Sequence, residues 1–104
     1  MRIREWQTIV HMLAKEKGWY ETERTPLEYH MLIVSEVAEA TEAVRSGQPP
    51  TNTGKPEGEM IELADAVIRI MDYFEYRGFD LEGAIRTKHE YNKTRPHRHG
   101  GKKV

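Results

Sequence analysis

Apolar residues recur along this chain at three- and four-residue steps and are interrupted at a few glycines and prolines. That spacing stacks side chains on one side of an α-helix. Ile3, Trp6, Val10 and Leu13 form the first run, which predicts a helix from about Arg2 to Lys17 with Gly18 as its stop. Thr25-Pro26-Leu27-Glu28 opens the second. Thr25 can cap, Pro26 suits the first helical position and Glu28 completes a capping box. This helix is expected to reach Ser46, where Gly47 and then Pro49-Pro50 prevent extension. The third is expected from about Glu57 to Arg77, with Met60, Leu63, Val67, Ile70 and Phe74 as its main apolar stripe. Gly78 should end it, with Phe79 folding back as the hydrophobic partner of the cap. Asp80 then caps a fourth, shorter helix to about Lys93. No alternating strand pattern and no internal repeat interrupts this reading. The expected fold is therefore all-α: one four-helix domain over 1–104, with a basic irregular tail from about 94.

Helices two and three carry more apolar surface than one face each. On helix two, Leu27, Val34, Val37, Ala38 and Val44 make one side, while Tyr29, Leu32, Ala40 and Ala43 make another. Helix three has Ile61 and Ile68 outside its main stripe. A helix that is apolar most of the way round needs neighbours on both sides. A chain of 104 residues cannot easily supply them, so a homo-oligomer is expected. Between these helices, Gln48 to Gly58 reads as a polar, Pro- and Gly-rich loop. Loops of that length in so small a domain are often functional.

Composition narrows the chemistry. With 16 Lys+Arg against 17 Asp+Glu, the chain has no global pull towards nucleic acid or anionic membrane. The absence of cysteine removes disulfides, zinc ribbons, iron–sulfur clusters and thiol nucleophiles together. No segment nears the length of a membrane span and no apolar signal core follows Met1, so a cytoplasmic protein is expected.

Charge placement is more informative than charge balance. Tyr29, Leu32, Glu36, Ala40 and Ala43 share one strip of helix two, and Glu36 is its only charge. Glu39, three residues on, is its surface neighbour. On helix three Glu62 and Asp65 are also three apart, flanked by Ala66, Arg69 and Tyr73. Arg69 could pair with Asp65 or reach a ligand. Adjacent carboxylates in partly apolar surroundings repel and lose hydration, a cost that a cation or proton offsets. Solvated Glu pairs are common on helix faces; two such pairs on consecutive helices, each bordered by apolar residues, are rarer. Four hard oxygen donors around one point suit Mg²⁺, or Mn²⁺, and Mg²⁺ in turn suits a phosphate substrate. A di-iron site would need Glu-x-x-His, and no Glu here is followed by His at that distance.

Ser35-Glu36-Val37-Ala38-Glu39, followed after a Pro/Gly loop by Glu62-Leu63-Ala64-Asp65, resembles the MazG-like branch of the all-α NTP pyrophosphatase superfamily. That family's signature is Glu-Glu-x-x-Glu, a spacer, then Glu-x-x-Asp. Ser35 stands where the first Glu is often found, which leaves the four-carboxylate set intact. Gly18-Trp19-Tyr20, Lys55-Pro56-Glu57-Gly58-Glu59 and the tail from Asn92 to Gly100 extend the similarity over nearly the whole chain. The resemblance implies metal ligation by Glu36, Glu39, Glu62 and Asp65, with Glu36 or Glu39 deprotonating the attacking water. It implies hydrolysis of a nucleoside triphosphate to monophosphate and pyrophosphate, in a dimer or tetramer.

Two further groups are candidates for substrate contact. Lys88 and Asn92 share a helix face and Arg95 follows. They either complement the helix dipole or, as the resemblance implies, hold phosphate oxygens. Trp19 just after a helix stop either plugs the bundle or, as in similar enzymes, stacks on the nucleobase. His30, on the apolar side of helix two, reads as a core histidine. Two other classes compete with the enzyme: a helical interaction module with solvated acidic pairs, and a weak nucleic-acid binder using Arg95 to Lys103. Nucleic acid is the less expected partner, because that run is short and the rest of the chain is not basic.

Overall fold

The computed structural model describes residues 1–47 and 54–96. Most of the expected loop, 48–53, and the tail from residue 97 lie outside the described residues. Four helices follow in order: α1 (Ile3–Glu16), α2 (Pro26–Arg45), α3 (Glu59–Arg77) and α4 (Leu81–Lys93). Helix α3 is central. It packs against α2 on one side and α1 on another, and α4 rests on α1. None of the described helices is long and apolar enough to cross a membrane.

The ends form where the sequence signals stand. Thr25 Oγ1 accepts from the Glu28 amide at 3.3 Å, and Glu28 Oε1 accepts from the Thr25 amide at 3.0 Å. Both bonds satisfy amides that the first turn leaves without helical partners. The bond from the Thr25 amide is also the chief reason the Glu28 carboxyl is held below its ordinary pKa. At the end of α3, Gly78 takes the left-handed conformation at φ 71°, which a residue without Cβ adopts freely. The Phe79 amide then bonds the Phe74 carbonyl at 2.8 Å, and the two rings meet edge to face at 5.6 Å.

The start of α4 departs from expectation. Asp80 occupies the N-cap position, yet its side chain makes no capping bond. Instead the Leu81 amide donates to Gln7 Oε1 at 3.1 Å. Gln7 is completely buried. Its Nε2 donates to Glu75 Oε1 at 2.9 Å and to the Phe79 carbonyl at 2.7 Å. One amide from α1 therefore pins the end of α3 and the start of α4, with both of its donor hydrogens and its oxygen used.

The faces turned inward are not the most apolar ones. On α2 the buried residues are Tyr29, Glu36, Ala40 and Ala43, so the strip with the single charge faces the core. On α3 they are Ala66, Met71 and Tyr73, while Met60 (69% exposed), Leu63 and Val67 of the expected main stripe face outward. The reason is an aromatic cluster: Tyr20, Tyr29, Tyr73 and Tyr76 pack with ring centroids 4.9 to 6.5 Å apart, and they orient α2 and α3 by their tyrosine faces. Small Ala40, Ala43 and Ala66 complete the inward faces. Leu27, Val34, Val37 and Val44 of α2 are left exposed. His30 is also exposed, touching Tyr73 edge-on at 5.5 Å, and is not a core histidine.

Candidate metal centre

Because α2 turns its Tyr29–Ala43 strip inward, Glu36 is carried into the α2–α3 contact, where only 5% of it stays exposed. From α3, Glu62 and Asp65 come to the same point: one carboxylate oxygen from each of the three lies within 4.8 Å of the others. Arg69, a turn beyond Asp65, donates from Nε to Glu36 Oε1 at 2.7 Å. Pairing with Asp65 was one of the two alternatives for Arg69; the observed hydrogen bond goes to the more buried carboxylate, where a charge-assisted bond offsets a larger desolvation cost. The second oxygen of Glu36, Oε2, is buried and has no hydrogen-bond partner. A buried charged atom without a partner is costly, so this oxygen marks a place where a cation or donor would be stabilised.

The neighbouring carboxylates show the same crowding. Hydrogen bonding to the adjacent Glu39 carboxyl raises the Glu62 pKa, with burial next and the negative charges of Glu39, Glu36 and Asp65 adding to it. Burial raises that of Asp65, reinforced by Glu36 and opposed by Arg69. Glu39 itself is exposed and adjoins Glu62; the closest set is Glu36, Glu62 and Asp65. All three offer hard oxygen donors, the chemistry that Mg²⁺ or Mn²⁺ prefers. The donor set and the orphaned Glu36 oxygen together fit such an ion.

A cavity of about 200 Å³ opens beside this cluster, between α1 and α3. Val10 and Ile68 form its apolar wall, and Asp65, Asp72, Arg69 and Trp19 its polar end. The Arg69 guanidinium lies over the Trp19 ring at 4.5 Å, and Arg24 lies over the same ring at 5.6 Å. Trp19 is 40% exposed, so it borders the cavity rather than plugging the bundle. Asp72 Oδ1 is 2.7 Å from His11 Nδ1. The Tyr20 hydroxyl is buried nearby; burial first, then hydrogen bonding with Asp72, raises its pKa.

Lys88 and Asn92 line a different cleft, on α4 with Ala84, Ile85 and His89. Lys88 and Arg95 both sit over the Tyr91 ring, at 5.0 and 5.7 Å. The structure thus gathers Glu36, Glu62 and Asp65, with Glu39, Arg69 and Trp19 around them, and sets Lys88 and Asn92 in a separate place. Asp72 and His11 escaped the sequence reading. Asp72 had a signal, since Asp65, Arg69 and Asp72 fall at i, i+4 and i+7 on one strip of α3. His11 had none, because only the packing of α1 on α3 brings it there. Comparison with protein-family models, with curated proteins and with solved structures finds no match for this chain.

Proposed function

We propose that this chain is a Mg²⁺-dependent nucleoside triphosphate pyrophosphohydrolase of the MazG-like type, cytoplasmic, and active as a homo-oligomer (a dimer or a tetramer). The observation that carries the reading is the buried, unpartnered Oε2 of Glu36 in a carboxylate group gathered with those of Glu62 and Asp65. Glu36, Glu62 and Asp65 would hold the ion. A divalent cation in such a site neutralises phosphate charge, acts as a Lewis acid and lowers the pKa of bound water. Glu36 is committed to Arg69 and buried, so Glu39, exposed beside Glu62, is the freer base. Glu39 takes a proton from the attacking water, whose oxygen bonds the α-phosphorus, and pyrophosphate leaves. Lys88, Asn92 and Arg95 are assigned to phosphate on charge and donor chemistry alone. Self-association is supported by the apolar groove between α2 and α3, bordered by Val37, Val44 and Leu63, all of them exposed in the single chain.

The test is incubation of the purified protein with Mg²⁺ and a panel of ribo- and deoxyribonucleoside triphosphates, with products resolved by ion exchange. Monophosphate plus pyrophosphate, lost with EDTA and in Glu39→Gln, is the expected result. No turnover of any triphosphate by a folded oligomer would overturn the reading and leave a helical interaction module as the better account.

A further inference from the structure

Arg69 meets Glu36 at one defined atom. Its Nε donates to Oε1 at 2.7 Å, and this bond occupies that oxygen while Oε2 stays buried without a partner. A glutamate reaches its carboxyl through several rotatable bonds, so an unpinned one has to be ordered when it takes up an ion. A carboxylate held through one oxygen presents the other in a fixed place. The arm that holds Glu36 is itself held. The Arg69 guanidinium lies over the Trp19 ring at 4.5 Å. Trp19 is fixed through its backbone: its amide donates to the carbonyl of Ala14, in the last turn of α1, at 3.0 Å, and its carbonyl accepts from Arg24 at 2.7 Å. A long side chain lying on a fixed aromatic surface loses much of its freedom. A continuous line of contacts thus runs from the end of α1 (Trp19) through α3 (Arg69) to the buried carboxylate of α2 (Glu36).

We propose that Arg69 is a positioning residue: resting on Trp19, it fixes Glu36 by one oxygen and so sets the affinity of the carboxylate group for a divalent cation. The proposal rests on the metal-site part of the reading above and on none of its nucleotide chemistry. Its test is titration of the full chain with Mn²⁺ and no nucleotide, the free ion being counted by its electron paramagnetic resonance signal. Methionine and glutamine are both uncharged and close in length, and the glutamine amide nitrogen stands as many bonds from Cα as Nε of arginine. Arg69→Met removes donor and charge, whereas Arg69→Gln removes the charge and keeps a donor. Arg69→Met is expected to bind Mn²⁺ about 10- to 100-fold more weakly than Arg69→Gln. The two variants match in charge, so repulsion between a cationic side chain and the ion cannot produce that difference. Trp19→Leu leaves the carboxylates and Arg69 in the chain. It is expected to weaken Mn²⁺ binding about two- to fivefold, the scale of an exposed cation–π contact. Equal affinity in Arg69→Met and Arg69→Gln overturns the positioning role, and parent affinity in Trp19→Leu overturns the part given to Trp19. Should Arg69→Met fail to fold, Trp19→Leu, altered at a partly exposed ring, carries the test by itself. No Mn²⁺ binding by the parent chain would sink the metal-site reading along with the proposal, whereas binding that ignores these substitutions sinks the proposal alone.

Discussion

Gln7 and Glu36 are the two buried polar residues of the described chain, and their surroundings are opposite. Gln7 spends both amide hydrogens and its oxygen on Glu75, Phe79 and Leu81. Glu36 spends one oxygen on Arg69 and leaves the other buried and alone, beside carboxylates whose protons are held abnormally tightly. A satisfied buried amide fixes helices and needs nothing more. A crowded, half-satisfied carboxylate group carries a cost that a bound cation would remove. The contrast separates a structural pin from a candidate site.

Four measurements test that contrast. The largest effect is expected at Glu36. Glu36→Gln should cut triphosphate hydrolysis by about 100-fold or more and abolish stabilisation by Mg²⁺. For the parent chain, Mg²⁺ at 100 times its Kd would add about 2.7 kcal/mol of stability. That corresponds to a rise in Tm of roughly 10–20 °C for a domain of this size. A variant that still responds to Mg²⁺ would place the ion elsewhere.

Gln7→Leu should act on the other side of the comparison. It removes the partners of the Leu81 amide and the Phe79 carbonyl and one of those of Glu75, a cost of about 2–4 kcal/mol in denaturant unfolding. Activity per folded molecule should stay near the parent value. A hydrolytic defect at full folding would show that the pin also shapes the site.

Glu62→Gln is expected to move stability the opposite way. With no cation present, deleting one of the crowded charges should raise Tm slightly, because Glu62 and Glu39 no longer compete for a proton. A fall in Tm would mean the carboxylate makes a favourable interaction that outweighs the repulsion. The same variant should respond weakly to Mg²⁺.

The smallest effect is the pH dependence of the empty protein. Glu62 and Asp65 bind protons more tightly folded than unfolded. Their contribution to stability is fully present below the unfolded carboxylate pKa and is lost as pH rises through the raised folded values. Glu75 and Glu82, lowered chiefly by hydrogen bonds from Gln7 and Arg2, work in reverse, their contribution being lost as pH falls through the folded values. The difference between the parent and Glu62→Gln in chemical unfolding against pH isolates the first effect. It should favour the parent on acidification, and saturating Mg²⁺ should reverse that sign, because a ligated carboxylate gives up its proton. A flat difference profile would remove the claim of crowding at Glu62.

Local chemistry made much of the fold legible in the sequence. Four helices, the Thr25–Glu28 capping box and the Gly78–Phe79 stop are properties of a few consecutive residues, and the structure has them within two residues of the expected bounds. The i, i+3 acidic pairs were legible too, because helical spacing alone makes them neighbours. Which face turns inward was not. Met60, Leu63 and Val67 outscore Glu62 and Ala66 in apolarity, yet they face outward because four tyrosines from three parts of the chain pack together and set the rotation of α2 and α3. Gln7 as the cap of α4, Arg69 on Glu36 instead of Asp65, and Asp72 held by His11 depend likewise on residues 33 to 74 positions apart. Neighbouring residues are enough to set where the helices begin and end and to pair carboxylates along them. Which carboxylate oxygen is buried and left without a partner follows from helix packing alone, because desolvation depends on what packs against a side chain rather than on what stands beside it in the chain.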